Sequence, residues 1–554
     1  MAEKEGGFLL GLGLRVAAIT FTLALFASDP AHADVVTVCD EAHFNTAFAN
    51  LGTMTFACDG TITITTTKVL NINQAITIDG AGHNITLDGG GNVQIFWNNT
   101  GELTLRNLTL SNGRVTVARV TDVAGGAVEN DFSLVTIDTV TFVGNKAVGG
   151  NGTKGASGCI RRVCDTGTSG GNGEGGAVAN IGGLVTITNS TFIGNTAQGG
   201  VGGDGGDGGV ACGLGCDWGD GGTGGVGGQG QGGAVYSNGN LRNTNSTFSG
   251  NTSIGGRGGQ GGQASYALAF GGNGGSGGSG LGGALVEYQV GLNMNNSTVA
   301  SNHVAGGAGG LGVSGGQGQH GSTGASGNGT GGGIYSQPGS PQLSNNILSN
   351  NDGGNCSIAT LTDNGHNLSS DSSCEFSGAG FNSDPMLLPL ANNGGPTQTM
   401  ALLAGSPGID FGDPNTCIAQ DQRGFARVGT CDIGAYEFGA ASGDFALTPF
   451  SRNIRFRLGQ PFTFAVANFS DGDAAEDNSS NHLSAVIKWG DGKLDVGQVV
   501  HIGMVNGKNM FSVTGSHTYC AVGVYPVTVI IGDTAGGTVT AISTAHMWPL
   551  ASSR

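Results

Sequence analysis

Gly175-Gly176-Ala177-Val178, running on to Phe192-Ile193-Gly194-Asn195, decides the fold because the chain writes this stretch five times. The frame opens at Gly125, Gly175, Gly232, Gly282 and Gly331 and closes at Asn145, Asn195, Asn251, Asn302 and Asn350. From the first glycine to the closing Phe, Val or Ile the offsets are 17, 17, 16, 17 and 16 residues. Such constancy marks a structural repeat, in which each unit buries its apolar face against its neighbours. Within residues 125–145, Ala127 and Val128 read as one short strand, Val135 and Ile137 as a second, and Val140 and Phe142 as a third. Phe142, Phe192 and Phe248 are then expected to stack inward, coil upon coil. The five closing asparagines fall in the next bend, where Asn tolerates left-handed backbone and can hydrogen-bond its stacked neighbours. The paired glycines suit a tight corner.

Upstream, from Thr61 to Asn112, short period-two runs follow one another without a helical pattern: Ile62 and Ile64, Ile76 and Ile78, Ile85 and Leu87, Leu103 and Leu105, Leu108 and Leu110. Turns at Asp79-Gly80, Asp88-Gly89 and Asn112-Gly113 separate them. The pattern predicts an all-β right-handed parallel β-helix of the pectin-lyase-like kind. Before it, Asp40 is placed to N-cap a short helix with Phe44, Phe48 and Leu51 on one face, capping the open edge of the solenoid. Earlier still, Lys4 and Arg15, an apolar run from Val16 to Ala27 and Ala31-His32-Ala33 before Asp34 read as a secretory signal. That run is too short for a membrane span of about 20 residues.

GGA-x and F-x-x-N recurring together resemble the repeats of chlamydial polymorphic outer membrane proteins and related bacterial β-helix surface proteins, over roughly residues 60–350. The copies at Val299 and Ile347 depart from the aromatic position. The resemblance implies a surface-exposed β-helix with an adhesive role, and it nominates no catalytic residue. Asn189, Asn245 and Asn296 stand in N-x-[ST] sequons, but their recurrence with the repeat points to strand-bend geometry rather than glycosylation.

Between the repeat units lie glycine-rich insertions with a period of three, as in Gly199-Gly200-Val201-Gly202-Gly203-Asp204-Gly205-Gly206-Asp207. A flexible linker is one reading. The other follows from three residues per turn, the period of a polyproline-II-type helix: hairpin-like arms of two glycine-rich legs and a tip, stacked along one side. Asp204, Asp207, Asp217 and Asp220 lack the tandem nonapeptide that a calcium-binding solenoid requires.

After Asn351, Asn393-Gly394-Gly395-Pro396-Thr397, Leu402 to Asp410, Asp421-Gln422-Arg423-Gly424 and Cys431-Asp432-Ile433-Gly434-Ala435-Tyr436-Glu437 resemble the bacterial choice-of-anchor Q region. Asp410, Asp421, Arg423 and Asp432 are expected to form a closing turn network there. Trp489-Gly490-Asp491-Gly492, with Gly515-Ser516-His517-Thr518-Tyr519 and Gly523-Val524-Tyr525, resembles the polycystic-kidney-disease (PKD) type of immunoglobulin-like sandwich. The expected organisation is a signal peptide at 1–33, a cap at 34–60, a parallel β-helix with glycine-rich insertions at 61–355, a choice-of-anchor Q-like end of the solenoid at 356–440 and a PKD-like domain at 445–545.

A net charge of −18 and the want of a basic patch exclude nucleic acid as a partner. In an exported chain, eleven cysteines favour disulfides. Spacing pairs Cys39 with Cys58, Cys159 with Cys164, Cys212 with Cys216, Cys356 with Cys374 and Cys417 with Cys431, leaving Cys520 as a buried free thiol. Polysaccharide lyases and hydrolases also use β-helices, and the early coils offer Asp79, Asp88, Glu102 and Arg106. The two aspartates, however, occupy Asp-Gly turns, and neither HExxH nor GxSxG occurs. No catalytic, metal or cofactor residues are nominated. The expectation is a secreted or cell-surface, adhesin-like or structural protein that binds a glycan or cell-surface ligand. The alternative is a lyase or glycoside hydrolase acting in a groove of the helix.

Overall fold

The computed structural model describes residues 33–116, 122–160, 162–212, 216–266, 268–289, 291–316, 319–376, 381–440, 448–471, 480, 483–505, 508–533 and 538–548. At 211, 212, 216 and 217 only the backbone is described, so the Cys212–Cys216 pairing and the Asp217 side chain lie outside it. The expected signal segment lies outside it too, apart from Ala33.

The described chain is all-β apart from the helix Glu41–Asn50. Asp40 caps that helix by accepting the His43 N–H at 2.8 Å. Phe44 and Ala47 bury beneath it into the end of the core, and the Cys39–Cys58 disulfide ties it to the first coil. The strands that follow form a parallel solenoid. One coil runs through Val128–Asp131, Leu134–Val143 and Lys146–Val148, makes an excursion, and returns through Gly173–Glu174. Each strand pairs with its counterpart one coil on: Val128 with Val178, Val135 with Val185, Phe142 with Phe192, Ala147 with Ala197 and Glu174 with Gln231. Period-two alternation sends Val135, Ile137, Val140 and Phe142 into a core where all four are fully buried. Phe142, Phe192 and Phe248 stack there with ring centroids 4.6 and 4.7 Å apart. The sequence reading missed Lys146–Val148 as a strand, because three residues with a single buried side chain carry no periodic signal.

The bend carries the fold's main polar element. The Asn145 side-chain amide donates to Asn195 Oδ1, Asn195 to Asn251, Asn251 to Asn302 and Asn302 to Asn351, each at 2.9 Å. Each amide also reaches a buried carbonyl, as Asn195 reaches that of Phe142. This corrects the expected register at the fifth copy. Asn350 is exposed and has φ +53°, so it stands where Gly144, Gly194, Gly250 and Ser301 stand, and Asn351 continues the ladder. Likewise Leu348, not Ile347, takes the aromatic position, pairing with Val299. Nor do the ladder asparagines adopt left-handed backbone, which belongs to the residue before each of them. The sequon asparagines do adopt it: Asn189, Asn245 and Asn296 have φ of +50°, +47° and +47° at the bend within the long sheet.

The described residues of the glycine-rich insertions are ordered. Within 149–172, 199–229, 255–279 and 306–328 they form four arms, each with an outgoing and a returning leg. In the outgoing legs, Gly149, Gly152, Gly155 and Gly158 donate to the carbonyls of Gln198, Val201, Asp204 and Asp207. Donor and acceptor both advance by three, the period of a polyproline-II-type helix. Return legs pair the same way, Gly167 with Thr223 and Gly170 with Val226, and the two layers cross-link through bonds such as Gly203 to Thr168 and Gly225 to Gly203. The result is a two-layer plate whose interior contains only backbone. A Cβ on Gly203, Gly225 or Gly259 would overlap the carbonyl oxygen of Thr153, Thr168 or Gly203, respectively. At the two open edges there is no such neighbour and side chains return: Thr153, Ala156 and Thr168 on the first arm, His320, Thr323 and Ser326 on the last.

Beyond the repeat, Cys356–Ile358, Leu368–Ser369 and Phe381–Asn382 complete the last short coils. Residues 384–440 add no further coil. They turn back along the bends of the earlier coils, where Thr397 donates to the Asn189 carbonyl at 2.9 Å and Gln422 bonds Thr191 and Thr247. Among the described residues the final unit has eight strands, antiparallel except where Asn453–Arg457 meets Thr538–Trp548, around its own core of Trp489, Phe469, Phe511 and Tyr519. Cys520 is free, as expected, but it is exposed rather than buried, since it falls in the turn after Tyr519 instead of pointing into the core.

Candidate functional site

The expected candidates separate into structural groups. Disulfides join Cys39–Cys58, Cys159–Cys164, Cys356–Cys374 and Cys417–Cys431, with Cα separations of 5.8, 5.3, 4.8 and 6.5 Å. Asp79 Oδ1 accepts the Ala81 N–H and Asp88 Oδ1 the Gly90 N–H, the bonds of Asp-Gly turns. Arg106 lies on the strand beside Asp79, and Glu102 lies at the start of that strand beside Ala75. Asp204, Asp207 and Asp220 each accept a backbone N–H from the next arm, those of Gln260, Gln263 and Phe270, so these carboxylates tie arm to arm. Among the described residues no group of three or more His, Cys, Asp or Glu is arranged to hold a metal ion.

The Asp421–Arg423 cluster is a closed network. Arg423 Nε donates to Asp421 Oδ2 at 2.8 Å and Arg423 Nη2 to the Glu437 carbonyl at 2.7 Å, while the guanidinium lies 3.8 Å from the Tyr436 ring centroid. Arg427 adds a bond to Glu437 Oε2, and Asp432 accepts the N–H groups of Asp410 and Phe438. With both partners of the Asp421–Arg423 pair fully buried, these groups hold the returning chain and leave no face to a ligand. The Asp432 carboxyl is pushed up to about 7 by burial and by the neighbouring Glu437 charge.

A different constellation lies on the outside of the helix at the root of the arms. Along one parallel sheet, register places Trp97, Glu129, Ala179, Tyr236, Val286 and Tyr335 in a single row on the side away from the main core; Ala179, Tyr236 and Val286 are buried in a small apolar cluster with Ala124 and Leu281, while Trp97, Glu129 and Tyr335 are half-buried. The adjoining sheet contributes Ala124, Glu174, Gln231, Leu281 and Thr330. Tyr288 joins from the following loop, its ring centroid 5.7 Å from Tyr236 and 6.1 Å from Tyr335. Trp97 Nε1 donates to Asp131 Oδ2 at 2.8 Å, and Gln94 Nε2 to Glu129 Oε2 at 3.0 Å. Burial pushes the Glu174 carboxyl up to about 7, reinforced by the Asp122 and Glu129 charges. Burial likewise raises Glu129, and it raises the phenols of Tyr236 and Tyr288, on which the Glu174 charge also acts. Glu174 therefore stands among the tyrosines as a carboxyl poised near neutrality. The sequence reading passed over this row because its members are about 50 residues apart and no local motif joins them; the repeat register was the signal that could have found it. A cavity of about 810 Å³, lined by Met386, Leu387, Leu403, Val486, Lys488 and Val496, lies elsewhere, between the returning segment and the last unit.

No protein-family model, curated protein or solved structure matches this chain. Among the described residues no helix is long and apolar enough to cross a membrane.

Proposed function

We propose that the protein is a secreted or cell-surface, adhesin-like binding protein whose ligand is a glycan lying along the row from Trp97 to Tyr335. In this reading the solenoid is a right-handed, pectin-lyase-like β-helix, residues 356–440 are its choice-of-anchor Q-like end, and the last unit is a PKD-like immunoglobulin-type spacer. One observation carries the reading: Trp97, Glu129, Tyr236 and Tyr335 share one row of register positions at about 4.8 Å per coil, with Glu174 on the adjoining sheet beside them. Aromatic faces offer apolar contact to sugar rings, and carboxylates and phenols accept and donate hydrogen bonds to hydroxyls. Because Glu129, Asp131, Glu174 and Asp122 crowd the row, a polyanionic polymer such as a uronate is disfavoured. The fitting class is a neutral or amino-bearing glycan.

The raised Glu174 beside Glu129 favours a second reading, a glycoside hydrolase with Glu174 as the proton donor. A glycan panel probed with the wild-type chain, Tyr236→Ala and Glu174→Gln tests both. Binding should fall at least about tenfold in Tyr236→Ala, and the wild-type affinity should change with a midpoint near pH 7 that Glu174→Gln removes. Binding unchanged by both substitutions overturns the glycan row. Reducing sugar released by the wild type and lost in Glu174→Gln makes the protein an enzyme.

A further inference from the structure

The arms change character at their ends. Their legs carry mostly small and polar outward residues such as Asn151, Ser169, Thr223, Gln260 and Ser276, with Val226 and Leu311 as isolated apolar exceptions, whereas at the tips exposed apolar residues cluster. Ile160 is 40% exposed, Val163 57%, Val210 48%, Tyr266 55%, Leu268 45% and Phe270 54%. Trp218 stacks on Tyr266 across neighbouring arms, with centroids 5.4 Å apart and planes 20° from parallel. The tips are joined to one another: Cys159 bridges to Gly208, Val163 to Asp220, and Gly219 donates to Ser265 Oγ at 3.0 Å. The apolar side chains of successive arms thus form one end surface. Legs of ten residues at about 3.1 Å each hold it roughly 30 Å from the coil.

We propose that this end surface docks on a lipid bilayer, with the tip side chains entering the interfacial layer and the glycine plate acting as a rigid standoff. Three features select a lipid surface over other occupants. The surface is terminal and its exposed apolar side chains come from successive arms joined tip to tip, so a planar apolar phase can meet several tips at once. Its composition of aliphatic side chains with a Trp–Tyr pair is that of groups that settle at the membrane–water interface. Its charges do not favour anionic headgroups: Lys154 is paired with Asp207, and the Asp220 carboxylate, held by the Phe270 N–H, keeps its negative charge. The fitting surface is therefore zwitterionic. A contiguous exposed apolar patch on a soluble chain marks an interaction site, and here the interior of the plate that carries it has no side chains to bury it.

The test is flotation of the full chain with phosphatidylcholine vesicles, together with quenching of tryptophan fluorescence by lipids brominated on the acyl chain. Wild type should float and be quenched, and Trp218→Phe should float but lose the quenching. The double variant Leu268→Ser/Phe270→Ser should partition at least about tenfold more weakly, and Val226→Ser, on the face of the plate, should match wild type. Amide protection across the arms, equal in all four proteins, shows that the plate has survived. Failure of the wild type to float, or equal flotation of the double variant, overturns the proposal. So does a concentration-dependent dimer that the double variant abolishes, because the tip would then be meeting a second copy. Glycan binding by the Trp97–Tyr335 row should be unchanged in every tip variant, so the two proposals stand or fall separately.

Discussion

The coil and the arm belong to the same repeat, yet they are held together in opposite ways. Inside the coil, side chains fill the space: Val128, Ile137 and Phe142 stack on their counterparts, and the Asn ladder satisfies the buried polar backbone at the bend. Inside the plate nothing fills the space but backbone, and glycine is required where a leg packs against the legs of the arm beside it. The first arrangement gains from burying apolar area. The second cannot, and it rests on a dense mesh of N–H···O=C bonds between helices that make no internal ones. The difference teaches that a long insertion need not carry a hydrophobic pattern to be ordered; a strict three-residue period with two small positions is sufficient. It also explains why the plate stops at four arms. The outer legs place Thr153, Thr168, Thr323 and Ser326 where an inner leg has glycine, so their edges cannot receive another leg at the same spacing.

If this contrast is right, the coil is sensitive to removing atoms and the arm to adding them. The largest effect should come from Phe192→Ala, which empties the middle of the aromatic stack and should lower unfolding stability by about 3–5 kcal/mol in urea titration. A loss under about 1 kcal/mol would mean that the stack does not hold the coil. Next, Gly225→Ala adds one methyl group against the Thr168 carbonyl. It should cost about 1–3 kcal/mol locally, read as lost amide protection in the first three arms while the coil's own transition stays in place. Protection unchanged by the added methyl would break the comparison. Smallest of all, Thr323→Gly at the open edge should shift stability by less than about 1 kcal/mol, through the unfolded chain alone. A large loss there would show that the edge is packed after all.

Much of the coil was legible beforehand because its signals are periodic. The inward Phe142, Phe192 and Phe248, the N-capping Asp40 and the local cysteine pairs follow from spacing and side-chain type. Register at the fifth copy was not legible. Ile347 and Leu348 are both apolar and Asn350 and Asn351 are identical, so a one-residue slip leaves the string plausible while reversing which side chain faces the core. The row of Trp97, Glu129, Glu174 and Tyr236 was illegible for another reason: each residue is ordinary in its own neighbourhood and becomes a site only when coils stack.

By itself, then, the sequence determined that this chain is a repeating all-β solenoid with period-three insertions, since periodicity is a property of the chain written in one dimension. Only the tertiary structure decided whether the insertions were ordered, because glycine's backbone carries no local preference and its order comes from hydrogen bonds to other arms. The tertiary structure also decided what the outer surface offers. Residues about 50 positions apart become neighbours only once one coil rests on the next, and that juxtaposition, rather than any local motif, creates the acid–tyrosine row and the apolar arm tips.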